Sequence, residues 1–246
     1  MNEGVREGCG MLVHTKTHPG LVRASNQDAL LVMAGAFGVA DGMGGHSGGE
    51  TASRMAVQVV KNALQGKTPE EGALLSALEA ANRRVFETGK RDAKLFGMGT
   101  TFTVLWEGPR EVWIGHVGDS RAYLYRKGEL KRKTEDHSMV AELLKNQLIT
   151  EEDAADHPYR HVITRAIGID PVIQADVFKV EKQAGDLWLV CSDGLHSMLT
   201  DTQISGVLGD QRGEETATKL LELALEHGGE DNISFVLGAV TEVETS

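Results

Sequence analysis

The stretch Val39–Leu64, VADGMGGHSGGETASRMAVQVVKNAL, runs from an apolar segment through Asp41-Gly42 and four more glycines into an amphipathic pattern. In its second half Ala52, Met55, Ala56, Val59, Val60, Ala63 and Leu64 recur at the spacing of one helical face, and Gly66 supplies a stop. The first half reads as a strand that delivers an aspartate to a glycine-rich turn. A nucleotide-binding glycine loop is the rival reading, and it fails on detail, because the chain has neither GxGxxG nor GxxxxGK[ST] here.

Working outward, two more helices are expected. One follows Pro69 and carries Leu74, Ala77, Leu78, Ala81 and Val85 on one face; the other carries Ala217, Leu220, Leu221, Ala224 and Leu225 and stops at Gly228-Gly229. Between them lie strands. TTFTVLW alternates Phe102, Val104 and Trp106 with Thr101 and Thr103. EVWIGHV and RAYLYR flank Gly118-Asp119-Ser120 and read as an antiparallel hairpin. DLWLVC is continuously apolar, hence a strand buried on both faces, and ISFVLGAV is the last strand. Residues from about 127 to 165 are more polar and read as a flap-like insertion with short helices in SMVAELLKNQ and TEEDAAD. This order departs from regular βαβ alternation and fits an antiparallel α+β sandwich, with residues 1–246 as a single domain.

The formal charge is −11, and no basic patch stands out. Such a surface repels nucleic acid and anionic membranes, which argues against a metal-dependent nuclease. Cys9 and Cys191 lack CxxC spacing, and Cys191 sits in an apolar run, as reduced thiols of a cytoplasmic protein do. The chain has no apolar run of about 18 residues to span a membrane. Its first residues, MNEGVREGCG, lack the apolar core of a signal peptide, which argues against secretion.

A single Asp-Gly is an ordinary turn. Here, however, FGVADG, VGDS, LVCSDG and EDN each place an aspartate at a strand end: Asp41, Asp119, Asp193 and Asp231. Carboxylates gathered from strand ends into one cleft repel unless a cation lies between them. Oxygen-only ligation points to Mg2+ or Mn2+ rather than zinc, and paired carboxylate-held metals serve phosphate-ester hydrolysis.

The motifs RASNQD, VADGMGGHSGGETAS, GMGTTFTVL, VGDSRAYLY, HVITRAIG, LVCSDGL and EDNISFVL, in this order from about Arg23 to Val240, resemble the metal-dependent protein serine/threonine phosphatases of the type 2C family in their bacterial form. The resemblance implies a four-layer α/β/β/α sandwich of two antiparallel sheets flanked by helices, with a metal cleft at one end. It implies hydrolysis of phosphoserine and phosphothreonine in phosphoproteins, the targets of a serine/threonine kinase, by a water activated between two Mn2+ or Mg2+ ions. By motif, Asp41 matches the aspartate bridging both ions and Gly42 the glycine whose carbonyl binds one. Asp193 and Asp231 match ligands of the other ion. Asp28 matches an acid that holds a metal-linked water, and Arg23 the arginine that grips the substrate phosphate.

Two positions depart from the family pattern. Met43 stands where some members, mainly eukaryotic, carry a histidine proposed as general acid. His46, typical of bacterial members, follows three residues on, and the leaving-group acid stays unassigned. Ser197 stands where relatives often carry an aspartate that shares a third ion with the aspartate matching Asp119, so a third ion is expected to be weak or absent. His137, His157 and His161 lie in or near the insertion, read as solvated loop residues, and receive no role. Thr164-Arg165 is read as structural. A monomer is expected. The alternative to an enzyme is a catalytically weak phosphoprotein-binding sensor or scaffold, whose mark would be lost metal ligands.

Overall fold

The computed structural model describes residues 6–8, 11–44, 48–155, 157–210, 213–241 and 243; Cys9, Gly45 and His46 lie outside them. The first half of the chain forms β1 (Arg6–Gly8), β2 (Met11–His18), β3 (Ala29–Met33), β4 (Ala36–Ala40), β5 (Gly42–Met43), α1 (Gly48–Leu64) and α2 (Glu71–Arg91). Then come β6 (Gly99–Thr100), β7 (Phe102–Glu107), β8 (Glu111–Val117), β9 (Arg121–Arg126) and β10 (Glu129–Arg132). The remainder forms α3 (Met139–Lys145), α4 (Glu151–Ala155), β11 (Asp176–Glu181), β12 (Leu187–Cys191), α5 (Asp193–His196), α6 (Asp201–Asp210), α7 (Glu214–Glu226) and β13 (Ile233–Val240).

Period-two alternation explains the layers. Along β12, Leu187, Leu189 and Cys191 pack with Ala217, Leu220 and Ala224 of α7, while Trp188 and Val190 face the other way. Along β7, Phe102, Val104 and Trp106 meet the apolar faces of α1 and α2, while Leu105 points inward. The inward sets join Phe37, Val39, Ile114, Leu124 and Val236 in one central core. The result is a six-stranded sheet, β1-β2-β13-β12-β9-β10, stacked on a five-stranded sheet, β11-β8-β7-β4-β3, with a small β5-β6 pair. All the pairings are antiparallel. Helices α1 and α2 cover one outer face and α5–α7 the other, which is the four-layer arrangement expected.

One expectation is overturned. EVWIGHV and RAYLYR are strands, but they do not pair with each other: β8 lies between β7 and β11, and β9 between β12 and β10, in the other sheet. Neither has an exposed residue and each takes two sheet neighbours, and the local apolar–turn–apolar pattern cannot distinguish a hairpin from a crossing between layers. Gly118-Asp119-Ser120 is therefore the place where the chain passes from one sheet to the other. Of the residues read as the insertion, Glu129–Arg132 are β10, an edge strand paired with β9; the two short helices follow. Among the described residues no helix is long and apolar enough to cross a membrane.

The sheet end near β7 is closed by a buried ion pair, Lys182 Nζ to Glu107 Oε1 at 2.6 Å, with both side chains 3% exposed. Removing one partner leaves an uncompensated charge, which costs about 3–5 kcal/mol. Lys182→Ala is therefore expected to destabilise the protein by that amount in urea melts, and the paired Lys182→Met/Glu107→Gln variant by clearly less. Equal losses in the two would show that the pair's charges do not matter.

Candidate metal centre

Six residues singled out by the sequence meet at one seam between the sheets. Asp41 follows β4, Asp119 links β8 to β9, Asp193 opens α5 after β12, Asp231 precedes β13, and Asp28 precedes β3. Each carboxylate comes from a different strand end. They share one electrostatic field: Asp41 feels Asp28, Asp193 and Asp119, Asp28 feels Asp193 and Asp231, and Arg23 feels Asp231, Asp193 and Asp41.

Neutral hydrogen bonds hold these carboxylates in place. The Asp41 amide donates to Thr101 Oγ1 at 3.0 Å, and the Asp41 carbonyl accepts from the Thr101 amide and the Thr100 hydroxyl, both at 2.8 Å. Thr101 Oγ1 also meets Ser120 Oγ at 2.7 Å, tying the Asp41 and Asp119 turns together. Asn232 does the same for the Arg23 loop: its side chain donates to the carbonyls of Pro19 and Ser25 and accepts from the Gln27 amide. His196, kept neutral by burial and then by the nearby Arg121, which lower its pKa to about 3, donates from Nε2 to the Asp119 carbonyl at 3.0 Å.

Gly42 is required by a close approach of backbone segments. Its φ is not left-handed; a Cβ there would lie 2.2 Å from the Gly49 carbonyl oxygen and 2.5 Å from that of Gln27. The glycine allows three backbone segments to touch: the Arg23 loop, β5 and the start of α1. Ser53 of α1 fastens the same junction, donating to the Gln27 carbonyl at 2.5 Å.

The carboxylates resist ionisation. Burial first, then the neighbouring carboxylates, raises Asp28 and Asp119 to about 7 and pushes Asp41 well above the ordinary range. Asp193 is raised for the same reasons, burial and then Asp231. Asp28 Oδ2 accepts from Ser192 Oγ at 2.9 Å, but its Oδ1 is buried without a partner. Arg23 Nη2 bonds Asp231 Oδ2 at 2.7 Å, and this arginine side chain is 58% exposed. Among the described residues no three Asp, Glu, His or Cys side chains close into a ready coordination shell. Even so, the donor set is all oxygen, mutually repelling and partly unsatisfied, and it fits a hard divalent cation.

Ser197 is exposed at the end of α5, its amide bonded to the Asp193 carbonyl at 2.8 Å. The flap's His161 lies within electrostatic reach of Asp193. His137 is a correction: it is 6% exposed and hydrogen-bonded to the Asp119 turn, not a solvated loop residue. Among the residues that carry no role in the sequence reading, Ser120, Ser192, His196 and Asn232 lie within one to three positions of a motif aspartate, whereas Thr101 and His137 reach the Asp41 and Asp119 turns from far away in the chain. For the first four the signal is adjacency to those aspartates; for Thr101 and His137 no local signal exists.

The protein phosphatase 2C family model matches residues 22–226. Serine/threonine phosphatase stp of Listeria welshimeri is 38% identical over 210 residues, covering 81% of this chain and 82% of that one. The crystal structure of the Mycobacterium tuberculosis serine/threonine phosphatase PstP/Ppp is similar at a TM-score of 0.89 and 35% identity, covering 94% of this chain and 99% of that one. The catalytic domain of PstP in complex with 2 manganese ions is similar at 0.87 and 34%, with the same 94% and 99% coverage. With its motif aspartates gathered at one seam and these matches along most of its length, the chain belongs to the protein phosphatase 2C family.

Proposed function

We propose that this chain hydrolyses phosphoserine and phosphothreonine in proteins, the targets of a serine/threonine kinase, and depends on Mn2+ or Mg2+. The observation that carries the reading is the convergence of Asp28, Asp41, Asp119, Asp193 and Asp231, from both sheets, beside an exposed arginine. Family membership and the manganese-bound relative support it. A sensor or scaffold would be marked by lost ligands, and Asp41, Asp193 and Asp231 are all in place. The buried free thiol of Cys191 suits a reducing, cytoplasmic setting.

In this reading Asp41, the Gly42 carbonyl, Asp193 and Asp231 hold two cations. Bound Mn2+ or Mg2+ supplies the positive charge that makes water a nucleophile at neutral pH. Asp28, whose Oδ1 has no protein partner, would hold a metal-linked water. Arg23 offsets the charge of the phosphoryl oxygens through its planar fork. Its bond to Asp231 is solvent-exposed and so costs little to exchange for a phosphate. Asp119 would be the one charged ligand left for a third ion, which is expected to be weak or absent, since Ser197 offers a neutral hydroxyl in place of a carboxylate. Cysteine has no part in this chemistry.

Turnover of a phosphothreonine peptide is expected to need added Mn2+ or Mg2+, and to be almost absent in Asp193→Asn and Asp231→Asn with circular dichroism unchanged. Full activity of stripped protein in excess EDTA, or near-wild-type kcat in either variant at low metal, would falsify the assignment.

Arg23→Ala is expected to lower kcat/KM for the peptide about tenfold to a hundredfold, the loss of one charge-assisted hydrogen bond. An unchanged kcat/KM removes Arg23 from the site.

The raised carboxylates set a pH trend. A carboxyl whose folded pKa lies above its unfolded value of about 4 favours the folded state while protonated. That stability is complete below about 4 and is lost as pH rises through the value of about 7 at Asp28 and Asp119. Metal-free protein is therefore expected to lose Tm between mildly acidic and mildly alkaline pH, and Mn2+ to raise Tm more at the alkaline end. A Mn2+ shift that is flat or larger in acid contradicts this reading of the cluster.

A further inference from the structure

Gly118, immediately before Asp119, has φ +105, and a Cβ there would sit 2.6 Å from Thr101. Both of its backbone polar groups go to one residue. Its amide donates to His137 Nδ1 at 3.1 Å, and its carbonyl accepts from the His137 amide at 2.8 Å. Since Nδ1 accepts, the ring proton sits on Nε2, which donates to Asp176 Oδ2 at 3.2 Å. Arg165 Nη1 lies 3.3 Å from both Asp176 Oδ1 and His137 Nε2; with the proton on Nε2 it donates to Asp176, and its approach to the ring nitrogen is a close contact rather than a hydrogen bond.

His137 also stands at the root of the flap. Its carbonyl accepts from the Thr164 amide at 2.8 Å, and the next rung is Met139 amide to Val162 carbonyl, also 2.8 Å. The chain leaves the sandwich after His137 and returns at Thr164-Arg165, so one residue bonds the Asp119 turn, both ends of the flap and β11. From the opposite side His196 holds the Asp119 carbonyl; Arg121 ties the start of β9 to Asp136, and His137 makes the bonds to Gly118 itself.

We propose that His137 is a positioning residue: it fixes the Gly118–Asp119 turn against the flap root, so that flap and cleft keep one geometry. The phosphatase reading enters only the kinetic consequences; the hydrogen bond to Gly118 is read without any activity. The competing account is that His137 matters only as a ring packed on His116, with centroids 4.7 Å apart.

Two substitutions separate these accounts. His137→Phe keeps a ring against His116 and removes the acceptor. His137→Asn discards the ring and keeps a side-chain oxygen near the Nδ1 position. Positioning predicts fast amide exchange at Gly118 in the Phe variant, with kcat on a phosphothreonine peptide down about fivefold to tenfold, the loss of one hydrogen bond. It predicts near-wild-type exchange and kcat in the Asn variant. Wild-type exchange in Phe, or an Asn variant as impaired as Phe or unable to fold, overturns the proposal. If the Phe variant does not fold, Asp176→Ala serves, because Asp176 is a partly exposed strand residue. There the amides of Met139 and Thr164 are expected to exchange faster and peptide KM to rise, with the Gly118 amide still protected. Unchanged exchange at the flap root refutes the link. If wild-type protein lacks phosphatase activity, the proposed function fails while the exchange pattern still decides the role of His137.

Discussion

Like charges crowded at one seam are the constraint on which this structure turns. Two carboxylates about 4 Å apart repel by about 4 kcal/mol at the effective dielectric of a protein surface. Five motif aspartates share the field here, and burial adds to the penalty on their charged forms. No local segment would adopt this arrangement unaided. It persists because each aspartate sits at the end of a strand whose interior is locked into a sheet, and because the two sheets share one apolar core.

The β8–β9 crossing shows how topology serves the site. A hairpin would have kept Asp119 within a single sheet. Because β8 belongs to the five-stranded sheet and β9 to the six-stranded one, Asp119 stands between the layers, within the field of Asp193 from the far sheet. Thr101 and Ser120 then bind the Asp41 and Asp119 turns into one unit, and Asn232 binds the Arg23 loop to the strand start that carries Asp231.

Legibility in the sequence followed the range of the interactions. Helix α1 and strand β12 were readable, because a helical stripe or an apolar run is a local pattern. The motif aspartates were readable because chemistry requires those residue types. The pairing of β8 and β9 was not, since sheet membership is decided by strands far away in the chain. The short α5 and α6 were passed over as well: α5 spans Asp193–His196 and α6 Asp201–Asp210, stretches too short or too mixed to show a stripe. His137 was misjudged because its burial comes from Asp176, Gly118 and His116, none of them its neighbours in sequence.

The chemistry of the scaffold explains why the carboxylates' charge stays available. A lysine or arginine buried beside them would neutralise them permanently. The half-buried Arg121 is instead turned onto Asp136, with contacts of 3.0, 3.1 and 2.7 Å, and it lowers Asp119 less than burial, Asp193 and Asp136 raise it. His196 is neutral, and Thr101, Ser120, Ser192 and Asn232 carry no charge. The one cation in direct contact with a motif aspartate among the described residues is Arg23, which is exposed and held by a single bond to Asp231. Supports that hold position without cancelling charge leave the cluster in deficit of positive charge, and that deficit is what a divalent cation and a phosphate-gripping arginine are suited to share.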